Sequence, residues 1–206
     1  GSVGATERLL AELELEPGMA LLDVGAGIGG PARLAADRYG CRVTGIDLSP
    51  DFVALAVALT SRVGLSDSVS FDVGSATALP YDDAAFDRAM LNHVGMNIAD
   101  KPAVFAEVRR VLKPGGRLAV FEQMRVAEGA LSFPMPLADD ERSSFVEWRS
   151  AYTSMLETAG FVVDRDEDLL ASVAGPAGDG LTPADLFGDG ITERMTNNIL
   201  ATMGGL

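Results

Sequence analysis

With 206 residues and 48% hydrophobic content, the chain can bury one sizeable core, which excludes disorder as its default state. Its net charge of −14 repels phosphate backbones and anionic membranes, so no nucleic-acid and no membrane partner is expected, and a small-molecule substrate is. Cys41 is the single cysteine, which rules out a disulfide framework or a multi-cysteine zinc site within the chain; no metal site is expected.

No early apolar stretch has the charged flank of a signal peptide or the length of a membrane span, so a cytoplasmic protein with one domain over 1–206 is expected. TERLLAELE (6–14) carries Leu9, Leu10 and Leu13 at helical spacing, and Pro17-Gly18 ends this lead-in helix. The apolar run from Met19 to Val24 predicts a buried strand. Gly25, Gly27, Gly29 and Gly30 then predict a tight turn, and Pro31 opens a helix that Gly40 closes. CRVTGID, ending at Asp47, is a second strand and completes a strand–helix–strand unit. Ser49 caps and Pro50 opens the next helix, over DFVALAVALTSRVG.

VSFDV is the third strand, and GSATALPYDDAA (74–85) is a loop too long to be only a turn. FDRAMLN is the fourth strand. The mixed segment HVGMNIAD leads into a helix from Lys101 to Leu112, whose Val104, Phe105, Val108, Val111 and Leu112 share one stripe. Lys113-Pro114-Gly115-Gly116 stops it, and RLAVFEQM is the fifth strand. This alternation implies right-handed crossovers and a Rossmann-like α/β fold, a mostly parallel sheet with helices on both faces. The part over 125–206 is expected to hold irregular substrate-side loops and C-terminal helices. It contains a loop at 125–140, a helix from Ser143 to Thr158 with Trp148, a sixth strand FVVDRD, and a last helix from Thr192 to Met203 with no strand after it.

The glycine turn GAGIGG fits G-x-G-x-x-G, and Asp47 follows Gly25 by 22 residues, near the separation of an acid that holds a ribose. Glycine lets a ligand come close to bare backbone and its N–H donors. The pattern alone leaves open nicotinamide or flavin dinucleotides, S-adenosylmethionine, and a chance turn. Asp23 favours S-adenosylmethionine: a charge near the end of a buried strand is costly without a partner, and this ligand brings a sulfonium and an ammonium but no phosphate. The plainer alternative is a structural acid bonded to loop amides.

LLDVGAGIGG, VTGIDLS, ATALPYDDAAFDRA and VRRVLKPGGRLAVFE, in this order, resemble the class I S-adenosylmethionine-dependent methyltransferases, particularly the small-molecule enzymes related to the ubiquinone and sarcosine/dimethylglycine methyltransferases. The likeness runs from about Leu15 to Phe161. It implies S-adenosylmethionine as cofactor and S-adenosylhomocysteine as product, with the methionine part over Asp23, Gly25, Ala26 and Gly27, Gly29 belonging to the same loop. It further implies Asp47 on the ribose hydroxyls, Leu48 on the adenine, and Leu91 and Asn92 at the amino-acid end. Ser75 and Ala76 stand where the family reads the adenine amino group and ring nitrogen; Ser75 replaces the usual Asp, exchanging a charge-assisted bond for a neutral one. The family's sheet finishes with an antiparallel seventh strand. Nothing after ILATMGGL remains to form it, so that strand is expected to be missing.

Methyl transfer is an in-line displacement at an activated carbon and needs few catalytic side chains. His93, the only histidine, and Glu122, at the end of the fifth strand, are the candidate bases for a hydroxyl acceptor. An amine would need neither, and the likeness of HVGMNI to the sarcosine/dimethylglycine group inclines the reading to an amine. Structural alternatives are a backbone-bonded histidine and a glutamate paired with Arg125 or solvent. Met96, Asn97, Phe133 and Pro134 are candidates to line the acceptor pocket, since their segments leave the carboxyl ends of strands; Met and Phe serve equally as core. Two other functions compete. One is a flavin or nicotinamide oxidoreductase, which leaves Asp23 and the ALP…FD…LKPGG series without a role. The other is a non-catalytic S-adenosylmethionine-binding protein. The acceptor and the oligomeric state are left open.

Overall fold

The computed structural model of the chain describes residues 3–125, 128, 131, 133 and 138–167, and the backbone of 201–204. Strands β1 (Ala20–Val24), β2 (Arg42–Asp47), β3 (Val69–Val73), β4 (Phe86–Asn92), β5 (Leu112–Phe121), β6 (Val162–Arg165) and β7 (Ala201–Gly204) make one seven-stranded sheet in the order β3-β2-β1-β4-β5-β7-β6. The first five are parallel, and β7 runs antiparallel to both β5 and β6. Helices α1 (Val3–Glu12), α2 (Gly30–Tyr39), α3 (Pro50–Arg62), α4 (Lys101–Val111) and α5 (Arg149–Thr158) connect and cover it.

The helix ends follow from local chemistry. At α2, Gly29 and Gly40 both take the left-handed conformation, at φ 76° and 68°, and the Gly40 N–H donates to Ala36 O. At α3 the Ser49 hydroxyl accepts from the Phe52 N–H, and at α4 the Asp100 carboxylate accepts from the Ala103 N–H. Alternation along the strands then divides the core in two. Leu21, Met90 and Ala119 face Leu9 and Leu10 of α1, Leu13 just after it, and Ala32, Ala35 and Ala36 of α2. Leu22, Leu91 and Val120 face Val104, Phe105 and Val108 of α4 and Tyr152 and Leu156 of α5.

The structure corrects three expectations. The seventh strand expected to be missing is present: Thr202 pairs with Ala119 and Ala201 with Val120, so pairing to the open edge of β5 overrides the helical reading of 201–203. The rest of the expected last helix, 192–200, lies outside the described residues. Strand β5 begins at Leu112, because the Lys113–Gly116 stretch forms an irregularity in the β4–β5 ladder, with Phe86 opposite Leu112 and Arg88 opposite Arg117. Helix α5 begins at Arg149 instead of Ser143, with Trp148 at its N-cap held by a bridge to Arg125. A 3-10 turn, Gly95–Asn97, occupies the mixed segment after β4. Among the described residues no helix is long and apolar enough to cross a membrane.

Candidate active site

The parallel register brings the chemistry to one rim. Asp23 lies beside Gly45 on one neighbour and Met90 on the other, Asp47 beside Val73, and Asn92 beside Phe121. All close the carboxyl ends of their strands, and the order of connection reverses between β1 and β4, where an open α/β sheet forms its crevice.

The glycine loop at this point is tight for two different reasons. Gly25, Gly27 and Gly29 all have positive φ (71°, 53° and 76°). A Cβ on Gly25 would stand 2.3 Å from the Val94 side chain, and one on Gly29 2.3 Å from Phe71, whereas one on Gly27 would meet nothing within 4 Å. The loop's donors turn inward, contrary to the expectation that they await a ligand. The Gly25 and Ala26 N–H groups donate to Ile46 O (2.8 and 3.0 Å), Gly29 donates to Ala26 O (2.9 Å), and Gly27 donates to Asp47 Oδ2 (2.8 Å). Asp47 Oδ1 accepts from the Ser49 N–H at 2.9 Å.

Beside the loop opens a cleft of about 430 Å³, lined by Gly25, Asp47, Leu48, Ser75, Ala76, Val94, Asn97 and Ile98 among others. Leu48 is 75% exposed at its edge, an apolar side chain left in water. The Ser75 hydroxyl accepts from the Thr77 N–H at 3.2 Å and shares a 2.8 Å hydrogen bond with the Thr77 hydroxyl. Leu91 is buried in the core, so only its backbone reaches the rim. Asn92 lies apart from the cleft, in a second depression with Gly30 and Pro31; its Oδ1 is buried without a partner among the described residues.

Beneath the loop Asp23 is only 1% exposed, and its Oδ2 has no hydrogen-bond partner among the described residues. Burial, and then the charge of Asp47, push its carboxyl up to about 7. Bonding to loop amides does not account for this oxygen, since the amides of Gly25, Ala26, Gly27 and Gly29 serve other acceptors.

The two candidate bases differ in setting. His93 takes φ 57°, a strained value for a residue with a side chain. Its backbone N–H donates to Phe121 O at 2.8 Å, and its ring stands edge-on to Phe121 at 4.7 Å. Burial pushes the imidazole down to about 4, so it is neutral at physiological pH, with Nδ1 buried and without a partner among the described residues. Glu122 is fully buried and meets neither Arg125 nor solvent. Its Oε1 accepts from the N–H groups of Val94 (2.6 Å) and Gly95 (2.7 Å), and Oε2 from Met96 (3.3 Å). Burial pushes this carboxyl up to about 7 against the pull of those donors and of Lys101.

Met96 and Phe133 are brought together in an apolar cluster with Ala138 and Val146, whereas Asn97 faces the cleft. Pro134 lies outside the described residues. Sequence reasoning missed Val94 and Ile98 as cleft walls and Lys101 as a buried cation. The one available signal was a lysine at the start of a helix in a chain with only two lysines.

Residues 22–120 match the family described as a methyltransferase domain. Phosphoethanolamine N-methyltransferase 1 of Arabidopsis thaliana is 35% identical over 168 residues, covering 78% of this chain and 32% of that protein. Sterol 24-C-methyltransferase ERG6B of Gibberella zeae is 31% identical over 185 residues, covering 85% of this chain and 48% of that protein. The [4+2]-cyclase SpnF superposes with a TM-score of 0.81 at 27% identity, covering 98% of this chain and 80% of its own. Phosphoethanolamine N-methyltransferase 2 of Haemonchus contortus, solved with S-adenosyl-L-methionine, superposes at 0.80 with 21% identity, over 100% of this chain and 53% of its own. The chain spans about a third of the length of the plant relatives it matches. The fold is that of the class I S-adenosylmethionine-dependent methyltransferases. The match of residues 22–120 to a methyltransferase domain favours S-adenosylmethionine over a dinucleotide for the glycine loop.

Proposed function

We propose that this chain binds S-adenosylmethionine and transfers its methyl group to a small-molecule acceptor. The observation that carries the reading is the buried Asp23 carboxylate, without a hydrogen-bond partner among the described residues, beneath a loop whose Gly27 meets none of them within 4 Å. A cationic ligand satisfies that oxygen. A pyrophosphate would set negative charge against it and find four loop amides already bonded.

In this reading Asp23, Gly25, Ala26 and Gly27 hold the methionine part, with Gly29 shaping the turn. Asp47 accepts from the ribose hydroxyls, and Leu48 covers the adenine, whose edge meets Ser75 and Ala76. The Leu91 backbone takes the amino-acid end, whereas Asn92, expected beside it, lies apart from the cleft. When bound, the cofactor supplies a methyl group on a sulfonium. The protein's own work is alignment and exclusion of water. Met96 and Phe133 provide an apolar wall, Asn97 a polar group in the cleft, and neutral His93 a ring nitrogen that can accept a proton or a hydrogen bond.

A small amine is the acceptor class we favour. An imidazole held near 4 is a weak base for a hydroxyl, whereas a neutral amine attacks through its own lone pair. Titration of S-adenosylhomocysteine by calorimetry, followed by mass spectrometry of phosphoethanolamine and sarcosine incubated with protein and S-adenosylmethionine, tests the proposal. Absence of S-adenosylhomocysteine binding would overturn it. Binding without turnover on any amine or phenol tried would instead favour a protein that holds the cofactor without methylating, a reading for which the similarity to a cyclase is the specific reason.

A further inference from the structure

Residues 94–98, directly after β4, form one turn that stands between two spaces. Val94, Asn97 and Ile98 line the cleft, while Met96 packs in the apolar cluster with Ala138 and Val146. Buried charges grip the turn from both ends. On its N–H side Glu122 accepts from Val94, Gly95 and Met96. On its C=O side the Lys101 ammonium donates to Ile98 O at 2.8 Å and reaches on to Phe145 O, in the segment leading to α5. Neither charge lines the cleft, and both are inside the protein: Glu122 is 0% and Lys101 2% exposed. Ions buried this deeply are costly unless their partners are well placed, and here the partners are backbone groups of this turn together with Phe145 O.

We infer that Glu122 and Lys101 are positioning residues, a two-ended clamp on residues 94–98 that sets the wall shared by the cofactor cleft and the acceptor pocket. This rests on the proposal that the cleft takes S-adenosylmethionine. The clamp gives Glu122 a task that removal from solvent favours, where proton abstraction from an acceptor would require access. It also makes the turn sensitive to pH. Glu122 carries its full charge only above neutrality, because burial holds its carboxyl near 7. When it is protonated, one oxygen becomes a donor facing backbone donors, and the grip loosens. The charged and titratable groups around it are Lys101 on α4, Tyr152 on α5, Glu147 just before α5, and His93 at the end of β4. Tyr152 leaves a buried hydroxyl without a partner among the described residues, close to Gly95: a Cβ built there would lie 2.8 Å from it.

The test uses ¹⁵N-labelled protein, with the amide resonances of Val94, Gly95 and Met96 followed from about pH 5.5 to 8.5, the span around the raised carboxyl. The expected result is a shared titration centred near 7. It should vanish in Glu122→Gln, move upward in Lys101→Met, and persist in Asp23→Asn, which removes the other carboxyl of that range. At pH 8, S-adenosylhomocysteine should bind Glu122→Gln about 10-fold more weakly than wild type, the loss of one charge-assisted hydrogen bond. Flat amide resonances in the wild type would overturn the clamp, and so would equal affinities of the two proteins. A wild type that titrates at these amides but binds no S-adenosylhomocysteine would overturn the cofactor assignment and leave the clamp standing.

Discussion

Asp47 does two things with one carboxylate, and both are measurable. It holds the loop through the Gly27 and Ser49 N–H groups, and it faces the cleft where the ribose is proposed to bind. Asp47→Ala is expected to weaken S-adenosylhomocysteine binding by about 2 kcal/mol, with some loss of stability because two backbone donors lose their acceptor. Calorimetry that finds the affinity unchanged would remove Asp47 from the site. The glycines separate packing from binding. Gly29→Ala drives a methyl into Phe71 and is expected to lower the denaturation midpoint strongly. Gly27→Ala has room and incurs only the left-handed backbone cost, about 1 kcal/mol, but its methyl projects into open space beside the cleft, so binding should suffer more than stability. The opposite ranking of the two variants would contradict this placement of the cofactor. These residues were legible because motif spacing fixes backbone position. Glu122 was not, since a sequence places an acid at a strand end without saying whether its carboxylate turns toward a substrate or back onto three amides.

Among the elements, the long loop after β3 shows how a helix can order a segment that has no regular structure. Arg110 of α4 donates to Leu79 O, Tyr81 O, Asp83 and Glu107, and Glu107 in turn accepts from the Leu79 N–H. The same loop carries Ser75 and Ala76 to the cleft. Arg110→Ala should cost about 1 kcal/mol of stability, modest because the guanidinium is a third exposed and screened. It should also weaken cofactor binding through the freed loop, and thermal denaturation with and without S-adenosylhomocysteine separates the two effects. A variant with wild-type affinity would show that the clamp does not reach the site. Strands β1 to β4 and helices α2 to α4 were readable from periodicity, caps and glycines, because each is long and locally consistent. The start of β5 and the start of α5 were misread. Proline and glycine at 114–116 suggested a stop where the ladder tolerates a bulge, and polar residues before Trp148 suggested a helix where a bridge to Arg125 holds extended chain.

At the scale of the molecule, the buried groups among the described residues that titrate between about pH 4 and 7 are Asp23, Glu122 and His93. Asp23 and Glu122 titrate near 7 when folded, well above ordinary carboxylates, so the stability they contribute is complete below about pH 4 and is lost as pH rises through 7. His93 acts oppositely: lowered to about 4, it contributes fully above 6.5 and loses that contribution as pH falls through 4. Two groups oppose one, and self-repulsion at a net charge of −14 works with the two. The urea midpoint of the unliganded protein should therefore fall between pH 5 and 7.5, with a shallower slope in Asp23→Asn. A midpoint that rises over this range would mean that the carboxyls are solvated in solution.

The place of β7 in the sheet also bears on how the protein is made. Strand β6 joins the sheet only through β7, yet 35 residues separate Arg165 from Ala201. At ribosomal speeds β6 emerges on the order of seconds before the strand that carries it, and for that interval the apolar edge of β5 is open. A nascent chain that pairs β1 to β5 first would carry an unpaired flank through a five-stranded stage, the moment at which a chaperone has most to hold and an encounter with another unfinished copy does most harm.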